Sequence, residues 1–132
     1  MIAFDTNVLL RLLLNDDARQ SRQAQALIDQ AVSRSDKVLL PDIVLCELEW
    51  VLSSVYKVPK TAISETLRRL LDAEEFAFLD RAAVAGALNG YEGGAADFSD
   101  YLIGASAARA GAATTYTFDR ALRRAGGFSL PG

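Results

Sequence analysis

Met1-Ile2-Ala3-Phe4-Asp5-Thr6-Asn7-Val8-Leu9-Leu10-Arg11-Leu12-Leu13-Leu14-Asn15 opens the chain. Ile2–Phe4 reads as a short apolar strand and Thr6–Leu14 as a helical run stopped near Asn15, with Asp5 between them. A strand feeding a helix is the start of a βα unit, and the rest of the chain repeats the alternation. Asp16 and Asp17 offer a cap for an amphipathic helix to about Ser33, with Ala24, Leu27, Ile28, Ala31 and Val32 on its apolar side. Val38–Leu40 follows as a strand, and Pro41 suits the first turn of a helix to about Tyr56 that is apolar on most sides. Pro59 opens a helix to about Ala73, with Ile63, Leu67, Leu70 and Leu71 at helical spacing. Phe76–Leu79 is a third strand. Ala82–Tyr91 and Phe98–Ala110 are Ala-rich helices. Thr114–Phe118 is a fourth strand, Arg120–Ala125 a short helix, and Phe128–Leu130 a candidate fifth strand. This order predicts an α/β fold with a parallel sheet covered on both faces, whose ligands sit outside the carboxyl ends of the strands.

The chain has 132 residues, the length of one domain, and 51% of them are hydrophobic, enough for a sizeable core. Residues 1–132 are therefore read as a single domain. There is one cysteine and no histidine. An internal disulfide, a Cys/His zinc site and any imidazole base are excluded. Catalysis must rest on carboxylates, hydroxyls, amides, basic side chains or a hard metal held by oxygen. The opening residues lack a basic leader, and no apolar run approaches the ~18 residues of a membrane span, so the expectation is a soluble, cytoplasmic protein without a membrane partner.

Asp5 follows the first strand and Asp119 follows the fourth. Either can cap the next helix, and capping is compatible with a further role. Glu47 lies beside Ile43, Val44, Leu48 and Val51 on the helical wheel. An acid on an apolar stripe needs a partner or a metal, or it must reach solvent. Glu49 points the other way and is read as a surface or partner-facing residue. Asp97 and Asp100 share a helix face three residues apart. Asp97 also suits a helix start, whereas capping is less natural for Asp100. Their mutual repulsion would be reversed by a bound cation. Such a set suits Mg²⁺ or Mn²⁺, which favour carboxylate and water oxygens and assist hydrolytic displacement at phosphate.

Phe4-Asp5-Thr6-Asn7-Val8-Leu9-Leu10, extended to Asp17, resembles the opening motif of PIN-domain proteins, in a form like that of the VapC toxins of type II toxin–antitoxin systems. Pro41–Leu52 resembles the family's second block, with its acid on Glu47. Ala96-Asp97-Phe98-Ser99-Asp100-Tyr101-Leu102-Ile103 resembles the third, with its metal-site acid on Asp100. Thr117-Phe118-Asp119-Arg120-Ala121-Leu122 resembles the last, with its acid on Asp119. The blocks stand in the family's order across nearly the whole chain. Tyr101 occupies a position where the family often has a small residue.

The resemblance implies a three-layer α/β/α sandwich around a small central parallel sheet. It implies an endoribonuclease that cleaves RNA phosphodiesters with metal-activated water and leaves a 5′-phosphate. Asp5, Glu47, Asp100 and Asp119 would be the catalytic acids around one or two Mg²⁺ or Mn²⁺ ions, with Asp97 nearby. Asn7 and Thr117 would orient carboxylates, or serve local turn and cap hydrogen bonds. A small VapB-like antitoxin would block the site, and Trp50, Tyr56 and their apolar surroundings would face the core, a homodimer partner or that antitoxin.

The net charge of −3 taken alone argues against a nucleic-acid partner. Set aside Asp5, Glu47, Asp97, Asp100 and Asp119, however, and 12 acids stand against 14 bases, a net +2. Arg109, Arg120, Arg123 and Arg124 face only Asp119 in the last segment. They, with Arg11, are candidates for RNA or antitoxin contact, or form solvated helix faces. Three other functions compete. A Mg²⁺-dependent phosphatase of the haloacid-dehalogenase type would want a second Asp where Asn7 stands. A receiver-like domain would want a Lys after the last strand, and no Lys follows Lys60. A non-catalytic PIN-like RNA- or protein-binding module would tolerate a degraded acid set, which this chain does not have.

Overall fold

In the computed structural model, which describes residues 1–132, each of the first three strands runs in parallel and empties into a helix. Strand β1 (Ile2–Ala3) pairs with β2 (Val38–Leu40), Ile2 opposite Val38 and Ala3 opposite Leu39. Strand β3 (Phe76–Phe78) pairs with the other edge of β2, so that β2 is central and its Val38 and Leu40 are fully buried. Parallel strands need a helical crossover, and the chain supplies two in each return. Helices α1 (Thr6–Leu14) and α2 (Ala18–Ser33) lie between β1 and β2, and α3 (Asp42–Ser54) and α4 (Lys60–Asp72) between β2 and β3. Helices α5 (Arg81–Gly93) and α6 (Phe98–Arg109) follow. The small parallel sheet and six helices make the three-layer α/β/α fold expected from the alternation.

The boundaries follow from local chemistry. Asp5, Asp17 and Asp80 each accept a backbone N–H in the first turn of α1, α2 and α5. A cap of this kind contributes about 1 kcal/mol. Asn15 ends α1 in the left-handed region at φ 53°, a conformation Asn tolerates better than most residues. The core draws on every layer: Leu9 and Leu10 of α1, Leu45 and Leu48 of α3, Ile63 and Leu67 of α4, Leu88 of α5 and Phe98 of α6 are all buried. Two residues expected on the apolar side of α2, Leu27 and Val32, face solvent instead; the buried stripe is the narrower set Ala24, Ile28 and Ala31.

The last two strands, β4 (Thr115–Tyr116) and β5 (Phe128–Ser129), form a separate parallel pair, joined through a 3-10 turn at Arg120–Leu122. Thr115 N–H donates to Gly127 and Thr117 N–H to Ser129, so the ladder is complete but short. No strand hydrogen bond joins it to β1. The ribbon is held to the body by Leu122 of the 3-10 turn, which is buried in the core, and by Phe128, whose ring lies over Gly104 of α6. A Cβ at that position would stand 2.5 Å from the ring. Tyr101 is accommodated in the same way: its hydroxyl occupies the space a Gly94 side chain would need.

Candidate active site

The carboxyl end of the three-stranded sheet carries an acid two residues past every strand: Asp5 after β1, Asp42 after β2 and Asp80 after β3. Parallel pairing puts all three strand ends on one side of the molecule. Asp5 is exposed and spends one oxygen on the Val8 amide at 3.0 Å. Next to it, the Thr6 hydroxyl donates to Glu47 Oε1 at 2.8 Å. That bond spans 41 residues and brings the Glu47 carboxylate of α3 to the head of α1.

Glu47 reaches this place from an exposed position. The stripe beside it is split, with Val44 and Leu48 buried and Ile43 72% exposed, and Glu47 lies on its exposed side, the solvent-reaching alternative. Its companion Glu49 behaves oppositely. Expected at the surface, it is only 5% exposed. The wheel of α3 is apolar almost all round, so hydrophobicity alone does not say which side meets the core. Burial pushes the Glu49 carboxyl above its usual range, against the pull of the Phe98 amide.

Asp97 and Asp100 form a second pair at the head of α6. Asp100 turns back to accept the Asp97 amide at 3.2 Å, the reach-back half of a capping box. Capping, which seemed less natural for Asp100, is what it does. A cleft of about 390 Å³ between α3 and α6 is lined by Glu47 from one helix and by Ser99, Leu102 and Ser106 from the other. Of the candidate acids, only Glu47 lines this cleft; Asp97 and Asp100 stand at the head of the helix that forms its other wall. Asp119 caps the 3-10 turn by accepting the Ala121 amide at 2.9 Å and is carried by the β4–β5 ribbon. Thr117 accepts the Asp119 amide at 3.0 Å, the local turn bond that also fixes where Asp119 points. Asn7, exposed, shares with Asp5 a cleft of about 430 Å³ that Arg11, Gln20 and Gln23 complete.

No three of these carboxylates converge on one point. The donor set still suits a hard divalent cation, because every ligand is oxygen and Mg²⁺ is commonly held by one or two carboxylates with water and phosphate oxygens filling the rest. The acids that would supply such ligands are Asp5 and Glu47 near the head of α1 and Asp97 and Asp100 at the head of α6.

Of the basic residues considered for RNA, two are already engaged. Arg11 meets Asp16 at 3.2 Å and Gln20 at 2.7 Å. Arg109 is bound to Asp80, whose carboxyl it holds below the usual range with help from the Ala83 amide. Arg120, Arg123 and Arg124 are exposed and make no ion pair. Asp42 and Asp80 were not singled out from the sequence. The signal for both was available, an Asp two residues beyond each strand, as at Asp5. Asp42 is the more unusual: its Oδ1 is sealed from solvent without a hydrogen-bond partner. Burial, and then the neighbouring Asp80, raise its pKa.

No helix is long and apolar enough to cross a membrane. No curated protein matches the chain. The family model of the PIN domain matches residues 2–127. That span takes in all four acidic blocks, the whole three-stranded sheet and all six helices, and the chain belongs to the PIN-domain family.

Proposed function

We propose that the chain is a Mg²⁺- or Mn²⁺-dependent endoribonuclease of the VapC toxin type, held in check by a small VapB-like antitoxin. PIN domains are in general metal-dependent nucleases acting on nucleic acid. The observation that carries the finer reading is the Thr6–Glu47 bond, which brings Glu47 to the helix head that Asp5 caps, together with the Asp97–Asp100 pair at the head of α6, the other wall of the α3–α6 cleft. Asp5 and Asp100 are the main ligands in this reading, Glu47 and Asp97 support them, and Asp119 serves a second position. A bound divalent ion supplies charge stabilisation at the phosphate and an activated water.

The chain's own groups do the rest. Capping bonds occupy one oxygen of Asp5 and of Asp119 and leave the other to face outward. The Thr6 hydroxyl fixes the rotamer of Glu47. Thr117 orients Asp119, and Asn7 lies beside Asp5 in the cleft with Arg11. Arg120, Arg123 and Arg124 offer unpaired guanidinium forks to RNA phosphates or to an acidic antitoxin segment. The exposed Ile43 and Trp50 on α3 form an apolar surface suited to a homodimer or antitoxin contact. The compartment in this reading is the cytoplasm.

The test is cleavage of single-stranded RNA by the purified chain with Mn²⁺ and with EDTA, alongside Asp100→Asn. Cleavage that needs the metal and is lost in the folded variant is the expected result. Cleavage equal in the presence of EDTA, or full activity in Asp100→Asn, overturns the proposal. Growth arrest on expression, relieved by the product of a short neighbouring gene, tests the toxin part. The spread of the carboxylates over separate helix heads favours one second reading, a non-catalytic PIN-like RNA- or protein-binding module. RNA binding without cleavage under any divalent metal selects it.

A further inference from the structure

We infer that Glu49 is a positioning residue, whose buried carboxylate ties α3 to the first amide of α6 and so sets where Asp97 and Asp100 stand relative to Glu47. The inference rests on the proposed metal-dependent reading. Glu49 and Ser64 are the buried polar residues of the protein. A buried carboxylate is costly unless it has hydrogen-bond partners, so its placement calls for a reason. Glu49 Oε1 accepts the Phe98 N–H at 3.3 Å, a bond between residues 49 apart in sequence. Phe98 lies directly between Asp97 and the Ser99–Asp100 turn, and its ring is fully buried. The Tyr91 hydroxyl of α5 approaches the same carboxyl. The Tyr91 ring meets Phe98 edge-on with centroids 6.0 Å apart. Three helices thus meet at one carboxylate.

The consequence is specific to the acids. Helix heads expose orphan amides, and here two consecutive ones are both taken by carboxylates: Asp97 N–H by Asp100 and Phe98 N–H by Glu49. The first bond fixes Asp100 to its own helix. The second fixes that helix head to α3, two residues from Glu47. Without it, the α6 head has only packing to hold its distance from Glu47. Partners that orient metal-binding carboxylates matter for affinity about 10- to 100-fold when removed.

The experiment measures Mn²⁺ affinity by titration calorimetry on the full chain, with thermal melting of each variant in EDTA. Glu49→Gln keeps the acceptor oxygen, and Glu49→Leu removes it at similar size. The expected result is affinity within about 3-fold of wild type for Gln and a loss of about 10-fold or more for Leu. Equal affinity in Leu and wild type overturns the inference, as does an equal loss in both variants, which assigns the effect to charge instead of the tie. A wild-type chain that binds no Mn²⁺ overturns the functional reading and the inference with it. Should Glu49→Leu fail to fold, amide exchange of Phe98 in the wild type decides. Slowing of Phe98 exchange by saturating Mg²⁺ supports the tie. Exchange unmoved by Mg²⁺, or as fast as that of Ser99, overturns it.

Discussion

Asp5 does two jobs that a single substitution can separate. Its Oδ1 caps α1 through the Val8 amide at 3.0 Å, and its charge is asked to hold a cation. Asparagine caps helices as well as aspartate does, so Asp5→Asn keeps the hydrogen bond. What it loses is a negative charge at a helix N-terminus, a cost of about 0.3–1 kcal/mol. For a domain of this size, about 1 kcal/mol corresponds to about 4 °C in Tm. Asp5→Asn is therefore expected to melt no more than about 4 °C below wild type in EDTA. Asp5→Ala gives up the cap as well, a further ~1 kcal/mol, and is expected to fall about 4–8 °C. RNA cleavage with Mn²⁺ should instead drop alike in both, by about 100-fold or more, since even partners that only orient ligands cost 10- to 100-fold. Single-turnover cleavage and thermal melts on the same preparations make the test. A folded Asp5→Asn with wild-type cleavage refutes the metal role, and a melt as low as that of Asp5→Ala refutes the cap.

Asp42→Asn is expected to stabilise the apo chain near pH 7. The folded state raises the pKa of Asp42, so its ionised form costs stability there. As pH falls through the ordinary carboxylate range, Asp42 becomes protonated in both states and the advantage of Asn should vanish; melts at pH 7 and pH 3 check this, and an unchanged gap contradicts it. Gly104→Ala places a Cβ against the Phe128 ring, and overpacking of this kind costs about 1–3 kcal/mol. Denaturant unfolding should show that loss, and adding Phe128→Ala should recover part of it; additive losses would refute the contact.

The alternation of strands and helices was legible because each unit carries its own punctuation. Asp5, Asn15, Asp17 and the prolines before α3 and α4 mark boundaries by backbone chemistry that tertiary packing does not override. The acids that cap helices were legible for the same reason. The two sides of α3 were not. Glu47 and Glu49 sit two apart on a helix that is apolar almost throughout, and only the arrival of α6 decides which is buried. Ile43 and Trp50, left exposed at 72% and 61%, are the residue of that same ambiguity. The division of the sheet was equally hidden. Strands of two residues have too few ladder bonds to announce their partner, and the second sheet is anchored by few side chains, chiefly Phe128 over Gly104 and the buried Leu122.

Charge then sorts the basic residues in a way that sequence proximity did not. Arg11 and Arg109 lie near acids in space, and their partners Asp16 and Asp80 neutralise them before any phosphate arrives. An exposed ion pair contributes little to stability, so neither pairing is firmly held. It does lower the field that a polyanion meets at long range. Arg120, Arg123 and Arg124 have no such partner and follow directly on Asp119. Among the five arginines considered for phosphate contact, unpaired charge therefore lies on the ribbon that carries the last acid. Replacing these three arginines with Gln should weaken RNA binding and flatten its salt dependence by close to three phosphate contacts. The same change at Arg11 and Arg109 should move it far less. Equal slopes for the two sets in filter binding from 50 to 200 mM salt would show that local pairing does not gate the field.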